Sequence, residues 1–194
     1  MATQETMQKP SYLGLLNTIS LAESNAGVYL TAWADATDDE ELAGTLRFVA
    51  ARESSHGEVF CRRLCELGFE LRHKADPGAD KRLAKYANPK ICDLDKIGAD
   101  VDTGEDPFAE VKKQLADGVY DPMTANLMSW YIAEEYDSGA RLRKAYAKVR
   151  NKTAGRSDGM AAGPNAETEA LMACMTAGFT RMEKALEKLA KAVK

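Results

Sequence analysis

A chain of 194 residues, 45% hydrophobic and 29% charged with a formal net charge of -4, has the size and composition of one globular domain spanning 1–194. That charge gives no electrostatic footing for nucleic acid, and no apolar run approaches the roughly 20 residues of a membrane span. The polar opening, without a basic n-region or an apolar h-region, leads us to expect a cytoplasmic protein with no membrane attachment.

The first predicted element is a long helix over residues 12–36, opening after Pro10-Ser11, with an inward stripe of Leu16, Ile19, Glu23, Ala26, Leu30 and Trp33. A second follows after a tight turn. It starts at Thr37-Asp38, carries Glu40 and Glu41 in its first turn, where acids favour a helix N-terminus, and runs over residues 38–68. Its stripe reads Leu42, Leu46, Val49, Glu53, His56, Phe60, Leu64 and Leu67, so a carboxylate and an imidazole stand where the pattern asks for Leu or Val. The short turn predicts an antiparallel helical hairpin, across which Glu23 and Glu53 differ by only about 3 Å of rise.

Residues 69–121 hold or border most of the prolines and are read as a long crossover with short helical pieces over 81–86 and 107–115. Asp121-Pro122 then supplies an N-cap and a proline at the first helical position, predicting a third long helix over 122–152. Glu135 shares its inward face with Met128, Tyr131, Leu142, Tyr146 and Val149. Glu134 shares the other face with Asp137, Arg141, Lys144 and Lys148 and is expected to meet water. A loop over 152–164 and a fourth helix over 165–193, capped by Asn165 and striped with Leu171, Met175, Gly178, Met182, Leu186, Leu189 and Val193, complete the chain. Two helical hairpins joined by one long crossover predict an all-α, ferritin-like four-helix bundle rather than an up-and-down one.

Burying an unpaired carboxylate costs several kcal/mol, and a metal ion that accepts both oxygen and imidazole ligands is an economical remedy. Glu23, Glu53, His56 and Glu135 are therefore the candidate metal ligands. Without a metal, the same residues would form a buried polar network with one Glu protonated. The four cysteines, Cys61, Cys65, Cys92 and Cys174, form no Cys-x-x-Cys pair and are expected to be buried free thiols; a zinc site built on Cys61, Cys65 and His73 would lack evident further ligands. Seven Lys or Arg between Arg141 and Arg156, with no acid among them, read as a solvated helix face.

The segments ISLAESNAGVYL, FVAARESSHGEVF and WYIAEEYDSGARL resemble helices one to three of rubrerythrin-like members of the ferritin-like superfamily: one Glu, then Glu-x-x-His, then one Glu. The resemblance implies two iron or manganese ions in the bundle and chemistry on oxygen or peroxide, or iron oxidation. It assigns Glu23, Glu53, His56 and Glu135 as ligands, although motif spacing alone would also allow Glu134 with Asp137. It further implies a homodimer. No second Glu-x-x-His stands on the fourth helix, where Met175, Gly178, Phe179 and Met182 surround the corresponding level, so the expected site is one ion or an asymmetric pair. With no rubredoxin-type Cys-x-x-Cys module, an electron donor would be a separate protein. The competing expectation is a metal-free ferritin-like bundle that binds a partner or an apolar ligand.

Overall fold

A computed structural model describes residues 9–98 and 106–154, which form six helices: α1 (Leu13–Ala36), α2 (Glu40–Glu66), α3 (Ala79–Ala87), α4 (Asp93–Ile97), α5 (Ala109–Ala116) and α6 (Pro122–Ala154). No strand occurs among the described residues, and none of their helices is long and apolar enough to cross a membrane. The expected fourth long helix, with Met175, Gly178, Phe179 and Met182, lies outside the described residues. α6 also runs further than its expected end.

Local chemistry sets the helix ends. Asp39, rather than Thr37 or Asp38, caps α2, its Oδ1 accepting from the backbone N–H groups of Glu41 and Leu42 at 3.1 and 3.2 Å. Asp121 does the same for α6, accepting from Met123 N and Thr124 N at 3.0 and 3.1 Å, with Pro122 first in the helix as expected. α4 was not foreseen. Its Asp93 accepts from Trp33 Nε1 at 2.7 Å and from Thr37 Oγ1 at 2.6 Å, so this short turn is held by partners on α1 and the α1–α2 turn.

α1 and α2 form the expected antiparallel hairpin. Near the turn Arg47 Nη2 donates to Ala34 O at 3.3 Å, and far from it Ser20 Oγ donates to Gly57 O at 2.8 Å. Two glycines let the helices approach closely: a Cβ on Gly27 would stand 2.3 Å from Ser54 Oγ, and one on Gly57 would stand 2.2 Å from Ser24 Oγ. The contact is reciprocal because Glu-Ser-x-x-Gly occurs on both helices, at Glu23 to Gly27 and at Glu53 to Gly57.

α6 lies along α2 in the opposite direction. Arg63 near the end of α2 pairs with Asp121 at the start of α6 at 2.8 Å, whereas Lys148 pairs with Glu41 and Lys152 with Asp39 at the start of α2. The connection between them therefore returns to the end of α2 that it left. A crossover running the length of a bundle would instead make the two helices parallel. For the three long helices described, the order is up-and-down, and this corrects the preference for one long crossover.

Two apolar clusters flank the middle of this frame. One, toward the α1–α2 turn, gathers Trp33, Leu42, Leu46, Val49, Leu142 and Tyr146, with Trp33 stacked between Tyr86 and Tyr146 at ring separations of 5.6 Å. The other gathers Leu16, Ile19, Phe60, Leu64, Met128 and Tyr131, with Phe108 and Val111 from the α5 region. Glu23, Glu53, His56 and Glu135 occupy the level between them, all buried.

Candidate metal centre

Each of the three long helices contributes its share of this polar level: Glu23 from α1, Glu53 and His56 one turn apart on α2, and Glu135 from α6. One ligand atom from each of the four lies within 4.8 Å of all the others. Ligands of these kinds bind an ion at about 2.0–2.2 Å, so the four side chains would close in around a common ion placed among them. Among the described residues this is the one such gathering of three or more His, Cys, Asp or Glu ligand atoms, and it could hold a metal ion.

The hydrogen bonding shows which atoms are left over. Tyr131, fully buried, donates to Glu23 Oε1 at 2.6 Å. His56 Nε2 stands 2.8 Å from Glu134 Oε2, and since a carboxylate only accepts, Nε2 carries the proton in that bond. His56 Nδ1, Glu53 Oε1 and Glu135 Oε1, all shielded from solvent, find no hydrogen-bond partner among the described residues. Nδ1 is 3.2 Å from Glu135 Oε1 and 3.9 Å from Glu53 Oε2, contacts of charge without hydrogen-bond alignment. Such orphaned groups are rare in folded interiors, and here three of them converge with the chemistry of metal ligands.

Electrostatics point the same way. Burial, a hydrogen bond to Glu23 and the charges of Glu23 and Glu135 push the Glu53 carboxyl up to about 12. Burial also raises Glu135, followed by the charge of Glu23, with His56 opposing. Burial pulls the His56 imidazole down, but the Glu135 and Glu134 carboxylates beside it raise it by more. Burial first, and then the neighbouring carboxylates, thus keep a proton on Glu53 at neutral pH. A divalent cation would satisfy the same demand.

Glu134 is the residue the helical pattern misplaced. It does not simply face water: its side chain is 28% exposed, and its two oxygens are directed at His56 and at Arg52, whose Nε lies 3.6 Å from Oε1. A carboxylate on the flank of the inward face, opposite a histidine on the neighbouring helix, was the available signal. Asp137 lies outside the gathering; 45% exposed, it pairs with Arg52 and Arg141.

The thiol expectation needs correction, for Cys65 and Cys92 are exposed and Cys61 is half-buried, although all three are free. Cys61 and Cys65 lie beside the inward stripe of α2 rather than on it, Cys92 precedes α4, and neither Cys61 nor Cys65 joins a ligand cluster with His73. Cys174 lies outside the described residues. The basic run behaves as a solvated face up to Ala154, with Lys148 and Lys152 paired to acids at the start of α2. Comparison with family models, with curated proteins and with solved structures finds no match to this chain.

Proposed function

We propose that the chain binds a single divalent iron or manganese ion at Glu23, Glu53, His56 and Glu135 and works as a rubrerythrin-like redox protein on oxygen or peroxide. One observation carries the reading: three buried ligand-type atoms from α2 and α6, His56 Nδ1, Glu53 Oε1 and Glu135 Oε1, converge without hydrogen-bond partners. The likeness to rubrerythrin-like proteins supports it through the ligand set on three helices, and not through helix order.

The donor set favours iron or manganese, since it is carboxylate-rich with one imidazole and has no thiolate of the kind structural zinc sites use. Glu53, His56 and Glu135 would hold the ion. Glu23, already bound by the Tyr131 hydroxyl, would complete an oxygen shell or keep a shared proton. Three carboxylates exceed the charge of one divalent ion, so a proton retained between Glu23 and Glu53 would bring the buried site to neutrality. When bound, iron or manganese would supply one-electron redox chemistry and a coordination position for an oxidant. The chain's own part is to fix the ligands on three helices, exclude bulk water between two apolar clusters and place the Tyr131 hydroxyl against Glu23. Electrons would come from a separate donor protein, and we propose a homodimer as the working form.

The second reading is a metal-free bundle acting as a partner- or ligand-binding module, favoured by the Tyr131–Glu23 bond and by the high affinity of Glu53 for a proton. Elemental analysis of purified protein, followed by iron(II) reconstitution and a peroxide-consumption assay, separates the two. Bound iron or manganese with peroxide turnover supports the first, and a stable protein that takes up neither metal supports the second.

A further inference from the structure

We infer that Glu134 is a positioning residue, which holds the His56 ring with Nε2 outward and Nδ1 turned to the carboxylates and so sets the strength of the site; this rests on the metal reading above. The ring packs against two aromatic neighbours, Trp130 at 5.0 Å and Tyr131 at 5.1 Å between centroids, both nearly perpendicular to it. These contacts fix the plane of the imidazole but not its sense of rotation, because a half-turn about Cβ–Cγ preserves the plane while exchanging each nitrogen with a ring carbon. Glu134 makes the choice. Its Oε2 accepts from Nε2 at 2.8 Å, which makes Nδ1, beside Glu135 Oε1, the nitrogen that would offer its lone pair to an ion.

Glu134 is itself held. Arg52, on the same helix as His56, reaches α6 with Nη1 bonds to Glu134 O at 3.2 Å, Asp137 Oδ2 at 2.8 Å and Ser138 Oγ at 3.2 Å, while its Nε faces Glu134 Oε1. The contacts run in sequence from Arg52 to Glu134, from Glu134 to the buried His56, and from His56 to the ligand position. A carboxylate in this place also makes the imidazole a more basic ligand.

The test uses the full chain in a His73→Gln background, so that His56 is the single histidine. Manganese(II) affinity is measured by titration for the parent, Glu134→Ala and Glu134→Gln. Nitrogen-15 spectra of the zinc-loaded, diamagnetic forms then report which ring nitrogen carries the proton. The parent is expected to show protonated Nε2 and metal-bound Nδ1. Glu134→Ala should weaken manganese binding by about 10- to 100-fold. Glu134→Gln, which keeps an acceptor for Nε2–H, should recover the nitrogen pattern and most of the affinity. A merely structural clamp would lower the melting temperature of Glu134→Ala without changing the nitrogen pattern. Unchanged affinity and pattern in Glu134→Ala would overturn the role of Glu134 alone, whereas a parent that takes up no ion would overturn the metal reading with it. Should Glu134→Ala fail to fold, the parent spectrum decides, because metal on Nε2 contradicts the assignment.

Discussion

At the scale of single residues, the central tension is a buried carboxyl group that keeps its proton. Glu53 rises to about 12, so above its ordinary value the folded state holds a proton that the unfolded chain releases. Stability from this source is fully present at and below the unfolded value and is lost as pH rises toward the folded one. His56, also raised, adds stability below its ordinary value that disappears as pH climbs through its folded value. Both signs agree: in chelator-treated protein the melting temperature should fall from about pH 5 to pH 9, and Glu53→Gln should flatten much of that slope. A flat profile in the parent would contradict this assignment. A second residue breaks the burial rules far from the site. Lys96 is 1% exposed, its Nζ has no hydrogen-bond partner among the described residues, and burial depresses its affinity for a proton. Lys96→Met should therefore raise stability by about 1 kcal/mol or more, read from urea midpoints; a loss of stability would show that the ammonium has a compensating role.

At the scale of elements, periodicity made α1, α2 and α6 legible, because each has a long inward stripe and α2 and α6 open on an aspartate cap. α4 was not legible, since five residues cannot display a period and its stabilising partners, Trp33 and Thr37, are distant in sequence. The same limit explains the site. The stripe placed Glu23, Glu53, His56 and Glu135 inward, but it sorts residues into inside and outside and has no class for a flank residue such as Glu134, which faces a neighbouring helix. The direction of α6 was equally hidden, as a long connection can return to either end of its helix. The repeated Glu-Ser-x-x-Gly was visible in the sequence, and its meaning emerges only where the helices cross. Gly57→Ala, whose Cβ would also stand 3.0 Å from Ser20 O, should cost about 1–3 kcal/mol and displace Glu53 relative to Glu23. Gly44→Ala, with nothing within 4 Å on α2, should instead stabilise by about 0.5–1 kcal/mol. Equal urea midpoints for the two variants would contradict the close-contact account of the hairpin.

At the scale of the whole molecule, the polar level lies between two apolar clusters, so it joins α1, α2 and α6 through charge where the remainder joins them through packing. Without an ion, crowding of the carboxylates weakens that joint; with one, all three helices share a ligand. An ion bound only by the folded state stabilises it by about 2.7 kcal/mol at a hundredfold excess over its dissociation constant. The ion also displaces protons, so the gap between loaded and chelated forms should widen as pH rises. The most direct measurement is an anaerobic manganese(II) titration of the parent and of Glu53→Ala, reading bound ion per chain by elemental analysis, with circular dichroism as the check on folding. The account predicts one tightly bound ion per parent chain and none in a Glu53→Ala protein of unchanged helicity; a well-folded parent that binds no ion, or a Glu53→Ala protein that binds it as tightly, would contradict it.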